Sequence, residues 1–258
     1  MTSALVRQYD YWATVYRRTW KGSVISSFLW PLLYLTAMGV GLGSFVDHNA
    51  RDNALGGVSY LSFIAPGLLA ATAMQTAVGE ATYPVMSKIK WNYVFHAMAA
   101  TPLRVKDIVA GQLGFIAFRV VLTCAVVLGV IAAFGAIQSP LGALCLVVTP
   151  LVGLAFGAPV FAIATRLEND SGFAMVFRFG VIPMFLFSGA FFPVTQLPDG
   201  VEWLAYVTPL WHGVAMSRDF SLGAAPLWPT LGHVAYLLLW AGVGTWLTVL
   251  GLSRRLVR

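Results

Sequence analysis

Four histidines, His48, His96, His212 and His233, are scattered along the sequence without the short spacing that would bring metal ligands together on one helix or loop. Ser188 and His212 are the loose candidates for a nucleophile and its base, the minimum an enzyme acting on lipid would need. The glycines at Gly39 to Gly43 sit inside an apolar run and lack the Gly-Lys-Ser/Thr ending that cradles phosphates. They read better as small residues that let helices approach closely. The chain is therefore expected to bind no nucleotide, metal or other cofactor itself. No Asp or Glu falls in the middle of an apolar run, where ion-coupled carriers place one. Two cations do: Arg119 and Arg178. A cation at bilayer depth costs roughly 2.5–3.5 kcal/mol and must pair, hydrate or snorkel. Arg178, close to one end of its run, can snorkel. Arg119 lies deeper, and either faces a path for an anionic substrate or pairs with Glu80 at the end of the preceding run.

The elements that hold these residues follow from composition. Of 258 residues, 59% are hydrophobic and 10% charged, with a mean hydropathy of +0.78. A soluble domain carries roughly 25% charged residues, so this chain cannot wet its own surface and its solvent is lipid. The net charge of +6 is not a nucleic-acid footprint, because the cations stand between apolar runs. Cys124 and Cys145 lie within such runs and read as core residues.

Spacing predicts an all-α integral membrane protein forming one transmembrane domain, 1–258. Residues 5–21 alternate aromatics and charges at helical spacing, the pattern of an interfacial helix lying on membrane lipid. Six transmembrane helices follow, at 24–45, 59–79, 108–137, 140–165, 172–192 and 229–252. With the N-terminus inside, twelve of the sixteen Lys and Arg fall on cytoplasmic segments, two (Arg51 and Arg218) outside and two within spans. That bias puts both termini in the cytoplasm. No signal peptide is expected in residues 1–21, which lack an apolar core, and the two halves show no repeat of the kind that marks many secondary carriers.

Two connecting stretches are informative. The cytoplasmic loop 88–103 predicts a short amphipathic helix, about Lys90 to Ala100, ended by Thr101-Pro102. Trp91, Tyr93, Val94, Phe95 and Met98 form its aromatic surface. Such a helix either rests on lipid or docks a soluble partner. On the other side, 193–228 is cut by Pro193, Pro198 and Pro209 into pieces too short to cross, and predicts a re-entrant hairpin.

In their order, three motifs resemble the ABC-2 type exporter permeases, of the nodulation-factor and daunorubicin exporter branch. They are "YLSFIAPGLLAATAMQTAVGEATYPV", "HAMAATPLRVKDIVAGQ" and "SGAFFPVTQLPDGVEWLAYVTPLWH". The resemblance implies a permease subunit without catalytic residues of its own, in a bacterial inner membrane. It implies a second permease copy or paralogue, and two copies of an ABC ATPase on which ATP and Mg are bound. Lys90, Trp91, Tyr93, Val94, Phe95, Met98, Thr101 and Pro102 would then form the coupling helix, and Glu80, Arg119 and Arg178 would border the substrate path. The hairpin, with Phe192, Pro193, Leu197, Pro198, Pro209 and His212, would gate the outer end. The family moves lipids, glycolipids, polysaccharides and drugs, so the substrate class stays open. An autonomous channel or secondary carrier, and more remotely a lipid-modifying enzyme, are the alternatives.

Overall fold

A computed structural model of the chain describes residues 32–43 and 57–256, with Thr14, Arg17 and Leu29 besides. All but two residues of the expected interfacial helix, 5–21, and nine of the 22 residues of the first expected span therefore lie outside the described residues. Within the rest of that span, α1 (Leu35–Leu42) is a stretch of π-helix.

Ser59 starts α2 (Tyr60–Ala81) by accepting from the Ser62 N–H at 3.3 Å, so one otherwise orphaned helix donor is satisfied. Pro84 has no N–H to return to the Glu80 carbonyl, and the axis breaks at Thr82 before helix resumes through Tyr83–Met86 and a π-turn at Ser87–Trp91. A six-residue helix, α3 (Val94–Ala99), follows. Next is α4 (Val105–Ala133), whose first turn is closed by the Asp107 carboxylate accepting from the Arg104 N–H at 3.1 Å. It stops four residues short of the expected end. Gly135, at φ 71°, lets Ala136 N–H return to the Ile131 carbonyl and Gly135 N–H to that of Ala132, a Schellman cap.

The fourth expected span is found as a 3-10 turn, Pro140–Leu144, running into α5 (Cys145–Arg166). The fifth, α6 (Ser171–Phe187), is shorter than expected and ends before Gly189, whose φ of 79° suits glycine. Two short helices, α7 (Asp199–Val207) and α8 (Pro209–Leu222), occupy the stretch read as a hairpin. The last helix is α9 (Leu227–Leu256). Among the described residues, four helical stretches are long and apolar enough to cross a membrane: 60–91, 105–133, 140–166 and 227–256.

At the centre is α2, packed against α4, α5 and α8, while α9 lies along α5 at the periphery. Two close approaches fix this order. A Cβ on Gly67 would come within 2.7 Å of the Ala190 backbone, and one on Gly244 within 2.5 Å of Pro159. One turn along from Gly244, Thr248 donates to the Ala158 carbonyl of α5 at 2.9 Å. Small residues and a hydroxyl thus join α9 to α5, as expected where lipid supplies no hydrophobic drive between helices. Both cysteines are buried free thiols within this core.

Candidate functional site

Three groups of predicted residues are brought together, at different heights along α2. The deepest is an ion pair. Glu80, near the end of α2, and Arg119, halfway along α4, meet with Arg119 Nε donating to Glu80 Oε1 at 3.0 Å. Of the two sequence readings of Arg119, the geometry realises the pairing. Two helical turns nearer the loop, Lys88 Nζ donates to Gln112 Oε1 at 2.9 Å and lies 5.8 Å from the centre of the Phe115 ring. The two contacts run side by side because α2 and α4 are antiparallel, and they tie the loop 88–103 to the membrane core. Arg178 is not part of this group. It is exposed on the π-helical stretch of α6, as a snorkelling cation would be.

The second group is the loop itself, and it departs from the expected single helix over Lys90–Ala100. The π-turn closes with Asn92 N–H on the Ser87 carbonyl at 2.8 Å, and Asn92 Nδ2 donates to Ser87 Oγ at 2.8 Å. Tyr93 then takes a left-handed conformation, φ 51° and ψ 25°, which a non-glycine residue adopts at a cost of roughly 1–2 kcal/mol. This reversal separates the aromatics. Trp91 and Tyr93 stand 57% and 60% exposed, while Phe95 is fully buried against Phe161 of α5, ring centres 6.0 Å apart. Phe95 therefore does not belong to the exposed surface on which the sequence placed it. Met98 and Val94 are half-buried, and Met98 packs on the same core. Lys90 Nζ reaches the Glu168 backbone carbonyl in the α5–α6 turn. Thr101 Oγ1 donates to the Met98 carbonyl at 2.6 Å, and Thr101 and Pro102 are exposed at the close of the loop. The result is a rigid seat, anchored from within by Phe95 and presenting two aromatics outward.

At the opposite end of α2 the third group joins two of the sequence motifs. The Pro66-Gly67 step of α2 lies under Ala190 of the "SGAFFP" turn, where only a glycine leaves room. Arg218 of α8 locks the contact, donating through Nη2 to the Gly189 carbonyl at 2.7 Å and spanning to the Phe63 carbonyl at 3.4 Å, its guanidinium 3.8 Å from the Phe63 ring centre. Sequence reading counted Arg218 only as an external charge. Pro209 is buried, Phe192, Pro193 and Leu197 are half-buried, and Pro198 is exposed. His212 Nδ1 meets His233 Nδ1 of α9 at 2.7 Å and stacks on Tyr236, ring centres 4.0 Å apart. Burial and the neighbouring His233 hold the His212 imidazole down to about 4. Ser188 is buried and its hydroxyl is directed to the Phe185 carbonyl, so neither member of the loose nucleophile and base pair is placed on the other.

These groups lie within a recognisable sequence. Residues 10–220 match the family profile described as ABC-2 type transporter. The chain belongs to the ABC-2 type transporter family. Curated relatives agree over nearly full length. The chain is 34% identical over 255 residues to Nodulation protein J of Rhizobium leguminosarum bv. trifolii, covering 96% of this chain and 94% of that protein. It is 32% identical over 256 residues to the protein of the same name from Rhizobium leguminosarum bv. viciae, with coverages of 96% and 95%. To that of Rhizobium meliloti (strain 1021) it is 30% identical over 253 residues, with coverages of 95% and 94%. As an ABC-2 permease the chain is a multi-pass membrane component of a transporter.

Proposed function

We propose that this chain is the transmembrane subunit of an ATP-driven exporter, with hydrolysis on a separate ABC ATPase that grips the Trp91–Tyr93 surface. Family membership supports the class. The observation that carries the coupling is the seat itself: two exposed aromatics on a loop that the Phe95 anchor and the Lys88–Gln112 and Lys90–Glu168 contacts make stiff. Exposed aromatics on a rigid mount are what a partner's pocket uses for binding energy. A push on the seat passes through the helical stretch 60–91, bent at Thr82, which carries Trp91 at one end and Gly67 and Phe63, the partners of the Ala190 turn and of Arg218, at the other.

The assembly we infer has two permease copies or a paralogue pair, and two ATPases binding ATP and Mg, in a bacterial inner membrane with both termini cytoplasmic. The cargo is an amphipathic or anionic molecule, a lipid, glycolipid, polysaccharide or drug, moved outward by alternating access. The 193–228 hairpin closes the outer end. Co-purification tests the grip. Wild-type permease is expected to retain the ATPase through size exclusion, and the Trp91→Ala/Tyr93→Ala variant to lose it by tenfold or more. Unchanged retention by that variant would remove the aromatic seat from the interface.

A further inference from the structure

At the foot of α9 a cavity of about 390 Å³ opens between the ends of α5 and α9. Its charged lining is Arg166, Arg254 and Arg255 against Glu168 alone, an excess of two positive charges. The three arginines are not equivalent. Arg255 is committed to structure, with Nη1 donating to the Thr165 carbonyl at 2.7 Å and the Leu167 carbonyl at 3.0 Å, so it caps the last turn of α5 and fixes one wall. Arg166 and Arg254 are exposed on either side of the opening. The floor is tight: a Cβ on Gly251 would come within 2.1 Å of Thr165 Oγ1, so the two helices touch there and the cavity cannot collapse further.

The remaining wall points to the ligand. Leu250 lines the cavity and is also the lowest member of an exposed apolar stripe on α9, Leu239, Val243, Trp246 and Leu250. Spacings of four, three and four place them on one helical face. A cationic cup therefore continues into an apolar track up a membrane-crossing helix. That is the outline of one molecule with an anionic head and a hydrocarbon tail, whereas a soluble anion needs only the cup. Basic pockets between helix ends at the headgroup level are suited to phosphate-bearing lipids.

We propose that this cavity binds the phosphate of an anionic phospholipid, with an acyl chain lying along the α9 stripe. The inference needs α9 to cross the bilayer and does not depend on export or on the ATPase. Its role is to staple α9 to α5 at their charged ends, where Arg255 already begins the join.

Native mass spectrometry of the full chain, released from nanodiscs of equal phosphatidylglycerol and phosphatidylcholine, tests it. Wild type is expected to retain phosphatidylglycerol in preference. Arg166→Gln/Arg254→Gln is expected to lose that preference by about 25-fold, roughly fivefold for each cation near a headgroup. Arg166→Lys/Arg254→Lys, which keeps the charge, should keep most of it and shows that the fold survives change at these positions. Equal retention of both lipids by wild type, or an unchanged ratio in the glutamine variant, would overturn the proposal. So would inorganic phosphate at millimolar concentration displacing the lipid, which would make the cup a soluble-anion site. Loss of ATPase co-purification in the glutamine variant with an unchanged lipid ratio would assign this face to the partner instead.

Discussion

The Glu80–Arg119 pair gives the sharpest test of how charge is held at depth in this permease. Unit charges about 4 Å apart attract by about 4 kcal/mol at an effective dielectric of about 20, and desolvation offsets part of that. The side chains are 20% and 13% exposed, so solvent screens them only weakly. Removing one partner strands the other in a mostly buried place. Glu80→Gln or Arg119→Met alone should therefore cost about 3 kcal/mol, the low end of the range for broken buried pairs. Removing both leaves no stranded charge, and the double variant should be less destabilised than either single one. The coupling energy, the sum of the single losses less that of the double variant, should therefore exceed about 3 kcal/mol. In thermal melts of detergent-purified protein, about 3 kcal/mol corresponds to a drop of roughly 6–12 °C. The single variants should show it and the double variant should recover most of it. Transport adds a second readout: the exchange Glu80→Arg/Arg119→Glu should preserve export if the pair is structural. Additive losses in the double variant would refute the coupling, and a stable exchange variant with no export would assign Arg119 to the cargo path.

Three further outcomes follow from the packing. Gly67→Ala should cost about 1–3 kcal/mol because its Cβ meets the Ala190 backbone, whereas Gly79→Ala, with nothing within 4 Å, should be neutral or stabilising; equal melting of the two would contradict the close approach. Phe95→Ala should destabilise by about 3–5 kcal/mol, while Trp91→Ala should change melting by less than about 0.5 kcal/mol; similar effects from both would mean Phe95 is not the anchor. His212 titrates near 4 when folded and near its ordinary 6.5 when unfolded, so between those values the unfolded chain binds more protons. Stability should be flat above pH 7 and fall as pH drops from 6.5 towards 4, and His212→Phe should lessen that fall; an identical pH profile for the variant would remove His212 from the α8–α9 contact.

The long helices were legible because an apolar run must be helical in lipid, and α5 and α9 appear within a few residues of where hydropathy put them. The end of α4 was readable too, since Gly135 is an ordinary capping signal, but the apolar residues beyond it masked the stop. In the loop, local sequence was insufficient. Nothing in "KWNYVF" announces that Tyr93 turns left-handed, and without that reversal Phe95 falls on the same face as its neighbours. The Glu80–Arg119 contact could be named in advance because a deep cation needs an opposite charge and Glu80 stands at the end of the preceding apolar run; that α2 carries on as helix past its apolar run, which brings Glu80 to the level of Arg119, was not legible. Arg218 and the His212–His233 contact could not. Their partners, Phe63 and Gly189 for one and α9 for the other, are set by how α8 inserts against α2 and α9, a tertiary outcome that no spacing records.

Uphill export in sealed proteoliposomes, followed with the permease and its ATPase together and then with the permease alone, bears most directly on the central claim. Cargo should accumulate against its gradient only when both proteins and hydrolysable ATP are present, and Trp91→Ala/Tyr93→Ala should abolish accumulation while the ATPase still turns over. Accumulation by the permease alone, without nucleotide, would contradict the account.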